Sequence, residues 1–300
     1  IMRYVVTGGA GFVGSHLVKL LVREGHNVRV IDNLHSGKKE NLSSVIEDIE
    51  FIEKDIRDTG SIENYFKNID GIFHQAALTV VQDSFTNPEE YNDVNVNGTE
   101  NIFRIAQKNN TKVVFASSSS VYGHQNDVPI SEDAEKSPIN PYGKTKLDDE
   151  ILMKKYSEMG VDIIGLRYFN IFGEGQTIEY AGVITKFIDR LKSKKPPIIF
   201  GDGKQIRDFI YVGDIVEFNL LAMKSNKSNL LINVGTGESI SILELANMMI
   251  KISGLDFQPI MEKSLEGDVI KSQADTSTLD SIFNWKAKSR LEDWLKNNVF

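Results

Sequence analysis

Tyr142 and Lys146 are four residues apart, a spacing that places two side chains on one face of a helix. A free tyrosine, with a pKa of about 10, is ionised only to about one part in a thousand at neutral pH, and a nearby ammonium lowers that pKa. A glycine-rich turn (7–14) and a serine run (117–120) precede the pair in the chain. Together they predict hydride chemistry on a hydroxyl group, with the tyrosine as base and a serine hydroxyl bridging it to the substrate oxygen.

The glycine-rich turn joins a predicted strand, residues 3–7, to a predicted amphipathic helix, residues 12–24. At such a junction glycine lets the chain bend tightly and lets the backbone approach a phosphate beside the free N–H groups of the helix start. Its glycines fit both the Gly9-x-Gly11-x-x-Gly14 and the Gly8-x-x-Gly11-x-x-Gly14 spellings. The turn therefore predicts a nucleotide-binding site.

Asp32 closes the second predicted strand, residues 27–31, about 20 residues after the turn. A carboxylate at this place can accept a hydrogen bond from a ribose 2′-hydroxyl, and it repels a 2′-phosphate. Asp32 therefore favours NAD over NADP. Lys38 and Lys39 follow closely in the sequence, and their positive charges weaken this preference.

The bulk composition limits the classes of protein to be considered. A formal net charge of −8 disfavours a general nucleic-acid surface, and the absence of cysteine excludes disulfides, thiolate metal sites and cysteine nucleophiles. No apolar run approaches membrane-spanning length and the start of the chain has no signal-peptide pattern, so we expect a cytoplasmic enzyme. His74 and His124 have no second ligand at a suitable spacing, so no metal site is predicted.

Strand-like and helix-like runs alternate through the first half of the chain, which predicts an α/β fold with a doubly wound parallel (Rossmann) sheet. Further predicted strands are 49–53, 71–74, 112–116 and 162–168, and further predicted helices are 61–67, 89–109, 142–159 and 242–252. The pattern loosens after Asn170. We therefore expect an NAD-binding domain at 1–169 that carries the catalytic residues, and a smaller mixed α/β substrate-binding lobe at 170–300, with segments free to return to the first domain.

Two helix starts have capping signals. Asn140 followed by Pro141 fits an N-cap and a first-turn proline. Ser241 with Glu244 fits a capping box for the helix at 242–252. The first signal fixes the start of the helix that carries the tyrosine and the lysine.

A set of short segments spans nearly the whole chain, and together they resemble the extended short-chain dehydrogenase/reductase family. The segments are Gly8–His16, Asp32–Leu34, Asp55–Asp58, His74–Ala77, Asn95–Thr99, Ser117–Gly123, Pro141–Lys146, Arg167–Asn170, Arg207–Phe209 and Gly267–Val269. Within that family the resemblance is strongest to nucleotide-sugar epimerases of the UDP-glucose 4-epimerase type.

The resemblance implies roles for individual residues. Tyr142 is the acid/base, Lys146 lowers its pKa and bonds the nicotinamide ribose, and Ser118 contacts the substrate O4. The implied NAD-binding residues are Gly8, Gly11, Phe12, Val13, Gly14, Asp32, Asn33, Asp55, Ile56, Ala76, Ala77, Asn95 and Lys146. The implied substrate-binding residues are Ser118, Tyr142, Asn170 and Arg207 at the diphosphate, Asp268 at the uridine ribose, and Ser272 beside the sugar.

The resemblance also implies an activity and a partner. The enzyme would transiently oxidise a UDP-hexose at C4, let the 4-keto sugar turn over within the site, and keep its NAD tightly bound. Family members commonly dimerise through helices that correspond to 89–109 and 142–159. The apolar face of Ile102, Ile105 and Ala106 on the first of these fits ordinary core as well.

Some positions depart from the family pattern. Leu265 stands where an Arg often contacts the diphosphate, and Lys263 is a candidate replacement. Phe209 stands where a Tyr is frequent. Ser272 falls where some epimerases carry a bulky Tyr beside the sugar, so a small residue there leaves space for a 2-N-acetyl group. We therefore expect activity on UDP-GlcNAc/UDP-GalNAc as well as on UDP-Glc/UDP-Gal.

Other activities remain open at this point. A 4,6-dehydratase would carry an Asp-Glu pair where Ser119 and Ser120 stand. Uronic acid epimerases and decarboxylases share the serine run, and an extra basic residue for the sugar carboxylate would distinguish them. A non-catalytic cofactor-binding protein typically loses the tyrosine or the lysine, and both are present here.

Overall fold

The computed structural model describes residues 1–300 and contains a seven-stranded sheet in which every pair of neighbouring strands is parallel. The strands of the chain are β1 (Arg3–Thr7), β2 (Asn27–Asp32), β3 (Ile49–Glu53), β4 (Gly71–His74), β5 (Lys112–Ser118), β6 (Ile163–Tyr168), β7 (Asn170–Phe172), β8 (Ile198–Phe200), β9 (Ile206–Arg207), β10 (Phe209–Tyr211), β11 (Leu230–Val234), β12 (Ile240–Ser241) and β13 (Ile260–Glu262). The sheet has the order β11-β6-β5-β4-β1-β2-β3. The order reverses between β1 and β4, which is the place where ligands bind in open parallel sheets.

Helices cover both faces of this sheet. They are α1 (Phe12–Arg23), α2 (Thr59–Ile62), α3 (Val81–Thr86), α4 (Pro88–Asn92), α5 (Gly98–Asn109), α6 (Pro141–Glu158), α7 (Val183–Lys192), α8 (Val212–Lys224), α9 (Ile242–Ser253), α10 (Ser277–Phe283) and α11 (Leu291–Asn298). Side chains of successive strand residues point to opposite faces, so Val6 packs with α1 and α8 whereas Val5 packs with α5 and α6. Burial on both faces explains the apolar strands, and the predicted doubly wound α/β fold is confirmed.

The helix predicted at 89–109 is present as α4 and α5, joined by one π-helical turn at Asp93–Asn97. On its apolar face Ile102, Ile105 and Ala106 are buried in the core with Phe103. That face therefore belongs to the interior of the protein rather than to its surface.

The second half of the chain supplies a smaller lobe, and two of its segments return to the large sheet. Strand β11 pairs with β6, and α8 packs against α1. The lobe has its own core around α7, α9 and α11, in which Phe172, Tyr211 and Trp294 pack together. The capping box at the start of α9 is confirmed. None of the helices combines the length and apolar character needed to span a bilayer.

Candidate active site

A cavity of about 590 Å³ opens at the carboxyl ends of the strands, between the sheet and the lobe. The predicted site residues that line it are Gly8, Gly11, Phe12, Val13, Gly14, Asp32, Asn33, Asp55, Ile56, Ala76, Ala77, Ser118, Tyr142, Lys146, Asn170, Arg207, Asp268 and Ser272. Candidate cofactor and substrate residues, from segments far apart in sequence, therefore meet in one cavity of ligand-binding size.

The glycine-rich turn has no room for side chains. Gly8 has a φ of +69°, and a Cβ on Gly14 would lie 2.0 Å from the Gly8 carbonyl oxygen. No side chain caps the start of α1 at Gly11, so the first N–H groups of this helix are left for an anion in the cavity. The turn thus fits the diphosphate of a dinucleotide such as NAD.

Asp32 connects the glycine-rich turn to the end of β2. One carboxylate oxygen accepts a hydrogen bond from the Ala10 N–H at 2.9 Å, and the other accepts from the Leu34 N–H at 2.8 Å. Burial raises the pKa of this carboxyl, and the two backbone donors act in the opposite direction. Because each oxygen keeps a second lone pair, Asp32 fits a ribose hydroxyl while holding the turn.

Asp55 follows β3 at the rim of the same cavity. Arg57 hydrogen-bonds its carboxylate, and Asn33 donates from its amide at 3.0 Å. These donors, Arg57 foremost, lower the pKa of Asp55 to about 2. The ends of β2 and β3 are therefore linked by charged and amide groups that face the cavity.

Tyr142 lies in the first turn of α6, directly after Pro141, and the Asn140 side chain accepts a hydrogen bond from the Gly143 N–H at 2.7 Å. The predicted cap therefore fixes the tyrosine opposite the end of β5. Burial raises the pKa of Tyr142 to about 12, while the neighbouring Ser118 hydroxyl lowers it. A phenol in this state needs positive charge nearby before it can act as a base at neutral pH.

Lys146 lies on the next turn of the helix, and it is the candidate for that charge. Its Nζ donates to the Ala116 carbonyl oxygen at 2.9 Å and lies 6.0 Å from the Tyr142 ring centroid. The lysine side chain is 5% exposed. The expected i, i+4 pair is thus present, with its ammonium buried between α6 and β5.

A buried ion pair behind the site fixes the serine run relative to α6. Arg167 on β6 binds both carboxylate oxygens of Glu150, at 3.0 Å and 2.6 Å, and the Ser117 hydroxyl donates to Glu150 at 2.6 Å. Arg167 also donates to the Tyr122 hydroxyl at 2.9 Å. These contacts join β5, β6 and α6, the three elements that carry the candidate catalytic groups or pack beside them.

The substrate side of the cavity is formed by the lobe. An Arg207 guanidinium N–H donates to the Asp268 carboxylate at 2.5 Å, and Ser272 is buried beside them with its N–H bonded to the Ile206 carbonyl oxygen. Asn170 lines the wall at the start of β7. Burial lowers the pKa of Arg207, and Asp268 acts in the opposite direction.

Two sequence-based candidates are not among the residues that line the cavity. Asn95, expected at the cofactor site, is fully buried, and its amide bonds both backbone groups of Leu78 and the Thr145 hydroxyl; its contact with the cofactor stays a prediction. Lys263, suggested as a replacement for the Arg missing at Leu265, does not line the cavity, whereas Lys186 and Lys271 do.

A hydrogen-bonded group at the base of the cavity was not predicted from the sequence. The Tyr168 hydroxyl accepts hydrogen bonds from the side-chain amides of Gln75 and Asn219, each at 2.9 Å. Burial raises the pKa of Tyr168 to about 12. Gln75 and Tyr168 both lie in segments that carry the family resemblance. Those segments mark the two residues, but they do not show that the side chains are in contact.

Comparison with known proteins gives consistent matches. Residues 4–235 match the model of the NAD dependent epimerase/dehydratase family. A putative UDP-glucose 4-epimerase of Methanocaldococcus jannaschii is 40% identical over 306 residues, 98% of each chain. A solved UDP-N-acetylglucosamine 4-epimerase of Methanobrevibacter ruminantium, in complex with UDP-N-acetylmuramic acid, has a TM-score of 0.93 at 38% identity and covers 99% of this chain and 97% of its own. A UDP-glucose 4-epimerase of Thermotoga maritima with UDP-glucose has a TM-score of 0.95 at 35% identity, with the same coverage.

Proposed function

The chain belongs to the NAD-dependent epimerase/dehydratase family, and from this premise we propose that it is a UDP-sugar 4-epimerase acting on UDP-glucose and UDP-galactose. The observation that carries the proposal is the meeting of Tyr142, Lys146 and Ser118 in one cavity with the glycine-rich turn and the Arg207–Asp268 pair. A base, a dinucleotide site and a nucleotide-sugar site at one place are what oxidation and reduction at a sugar carbon require.

Tyr142 would take the proton from the C4 hydroxyl and return it to the same oxygen. Lys146, whose Nζ lies 6.0 Å from the Tyr142 ring centroid, would stabilise the phenolate that this step needs. The Ser118 hydroxyl, which lowers the pKa of Tyr142, would bridge the tyrosine and the sugar oxygen. Bound NAD supplies the hydride acceptor and donor for C4. The glycine-rich turn and the start of α1 would hold its diphosphate, with Asp32 at the adenosine ribose.

Epimerisation also requires the sugar to present both faces of C4 while the nucleotide stays bound. The Arg207 guanidinium and the Asn170 amide supply donors for the substrate diphosphate, and Asp268 supplies an acceptor for the uridine ribose. Arg207 is held by Asp268, so it is oriented before substrate arrives. Anchoring at one end leaves the sugar free to turn.

Ser272 supports a broader substrate range. It is a small side chain at the cavity wall, which leaves space for a 2-N-acetyl group. We expect turnover of UDP-GalNAc alongside UDP-galactose. Replacing Ser272→Tyr should abolish the first activity and spare the second, and turnover of UDP-galactose alone by the unmodified enzyme would refute the expectation.

A second candidate rests on Lys186 and Lys271, which line the cavity in addition to Arg207. An extra cation beside the sugar is what a uronate carboxylate would need, so a uronic acid epimerase or decarboxylase is the alternative within the family. Lys271 donates to the Asn126 carbonyl oxygen at 3.0 Å, which leaves two of its N–H donors for a ligand.

One experiment separates these substrates. The purified protein, with no added cofactor, is incubated with UDP-galactose, UDP-GalNAc and UDP-glucuronate in separate reactions, and the C4 epimers are followed by proton NMR. We expect conversion of the first two. Conversion of UDP-glucuronate alone, or loss of its carboxyl group, would favour the uronate reading, and no conversion after NAD is added would refute the UDP-sugar proposal.

We also propose a homodimer through the outward faces of the helices α5 and α6. Ile151 on α6 is a large apolar side chain that is 60% exposed in the single chain. Light scattering of the protein and of Ile151→Lys tests this: we expect a dimer that the substitution dissociates, whereas a monomer in both cases would refute it.

A further inference from the structure

Asp149 is a fully buried carboxylate without a hydrogen-bond partner. It lies on α6, three residues after Lys146, and its Oδ2 is 4.0 Å from the Lys146 Nζ. Neither of its oxygens accepts a hydrogen bond. Burying a carboxylate charge without a hydrogen bond destabilises the folded protein unless a nearby positive charge compensates for it. The ammonium of Lys146 is in a position to do so.

The next residue on this helix, Glu150, is also a buried acid, but it has a partner of opposite charge. Glu150 is paired with Arg167 through two hydrogen bonds and also accepts from Ser117. Its charge is therefore compensated locally. Asp149 has no such partner, and Lys146 is the cation that it approaches.

The groups around the pair leave Lys146 and Asp149 facing each other. From β4, His74 is held between the hydroxyls of Thr7 and Thr99, at 2.6 Å and 2.8 Å, and burial lowers its pKa to about 3, so it is neutral. Burial raises the pKa of Asp149 well above its usual value, whereas the positive charge of Lys146 foremost, and the nearby Thr99 hydroxyl, lower it. On the same helix Tyr142 is un-ionised at neutral pH, and Asp148 lies near the surface, where it pairs with Lys144 at 3.2 Å.

We propose that Asp149 is a positioning residue that keeps Lys146 protonated beside Tyr142. Its consequence for catalysis rests on the proposed function, because it matters there only if Tyr142 is the base. The charge state of the lysine itself does not depend on that function. The Ala116 carbonyl oxygen is the one group that accepts a hydrogen bond from this ammonium. The other buried acid nearby, Glu150, is already paired with Arg167, so Asp149 is the carboxylate left to balance the lysine charge.

The direction of the effect follows from the geometry. Burial lowers the pKa of Lys146, and the negative charge of Asp149 raises it. The Asp149 carboxylate is fully buried and lies 4.0 Å from the ammonium, so removal of its charge should lower the lysine pKa.

The first test reads the lysine directly. Protein labelled with ¹³C at the lysine ε carbon is titrated by NMR, and the Lys146 signal is assigned by its loss in Lys146→Arg. We expect the unmodified protein to stay in the ammonium form through pH 8, and Asp149→Asn to titrate at least one unit lower. Asp148→Asn, which removes the same charge one residue away near the surface, should leave the signal unchanged.

A neutral Lys146 at pH 8 in the unmodified protein, or a titration that Asp149→Asn does not move, would overturn the proposal. If Asp149→Asn does not fold, Asp149→Ser provides the same charge removal with a smaller side chain. Asp149→Glu should restore the ammonium form, because the carboxylate is retained.

The second test reads the reaction. The Asp149 charge also raises the pKa of Tyr142 directly, so its removal has two opposed effects on the phenolate. Lys146 lies one helical turn from Tyr142 and Asp149 lies two, so we expect the loss of lysine charge to dominate. The rising limb of kcat/KM against pH should then move to higher pH in Asp149→Asn and return in Asp149→Glu. A limb that stays in place while kcat falls would show a merely structural role. If no UDP-sugar is turned over at all, the proposed function fails, and the NMR titration still decides whether Asp149 sets the charge of the lysine.

Discussion

Replacing Glu150→Gln should destabilise the fold strongly, because it leaves the Arg167 guanidinium buried beside a neutral amide. The side chains of Glu150 and Arg167 are 5% and 3% exposed, and two hydrogen bonds, at 3.0 Å and 2.6 Å, join them. Removing one partner of such a pair costs about 3–5 kcal/mol. With an m-value of about 3 kcal/mol/M, the urea midpoint should fall by about 1 M or more.

The assay is urea unfolding followed by circular dichroism. Glu292→Gln breaks an exposed pair with Lys296 and serves as the matched control, with no measurable change expected. Replacing both members of the buried pair, Glu150→Leu with Arg167→Met, should recover much of the loss, since no charge then remains unpaired. A loss below about 1 kcal/mol for Glu150→Gln would show that water or another group compensates for Arg167, and that Glu150 is not its essential partner.

Three further predictions concern the cofactor site, the core and the substrate site. Gly14→Ala should abolish retention of NAD during purification, because its Cβ would lie 2.0 Å from the Gly8 carbonyl oxygen. Gly60→Ala is the control and should retain NAD, because its Cβ would meet only Asp58 Oδ1, at 3.8 Å. Bound NAD is measured by absorbance and mass spectrometry. His74 has a pKa of about 3 in the folded protein and about 6.5 in the unfolded chain, so the neutral imidazole contributes fully to stability above pH 6.5. As the pH falls from about 6.5 to about 3, the free energy of unfolding should decrease by about 1.4 kcal/mol per pH unit. His74→Gln should remove this slope, as measured by urea unfolding at a series of pH values. Arg207→Met should weaken UDP binding about 10- to 100-fold by calorimetry, as expected for loss of a charged hydrogen bond, and unchanged affinity would exclude it from the diphosphate site.

The sequence was sufficient where the signals were local. The glycine-rich turn, the Asn140 cap and the Ser241–Glu244 capping box each depend on residues a few positions apart, and strand–helix alternation follows from apolar periodicity. These features determined the Rossmann fold and the helix that carries the tyrosine. The family segments then brought most of the candidate site together.

The remainder depends on contacts that no local pattern encodes. Tyr168 and Gln75 are 93 residues apart, and their hydrogen bond exists only because β4 and β6 end at the same edge of the sheet. The amide of Asn95 is used by the loop at Leu78, which spacing alone could not show. In the sequence Asp149 is one of several polar residues of the helix, and its burial without a hydrogen bond is known only from the structure.

The most direct test of the central claim follows the hydrogen on C4. UDP-galactose deuterated at C4 is incubated in ordinary water with purified enzyme and no added NAD, and the product is analysed by NMR and mass spectrometry. We expect UDP-glucose that keeps its deuterium at C4, and no product with Tyr142→Phe. Loss of the label to solvent, or full activity in Tyr142→Phe, would contradict that claim.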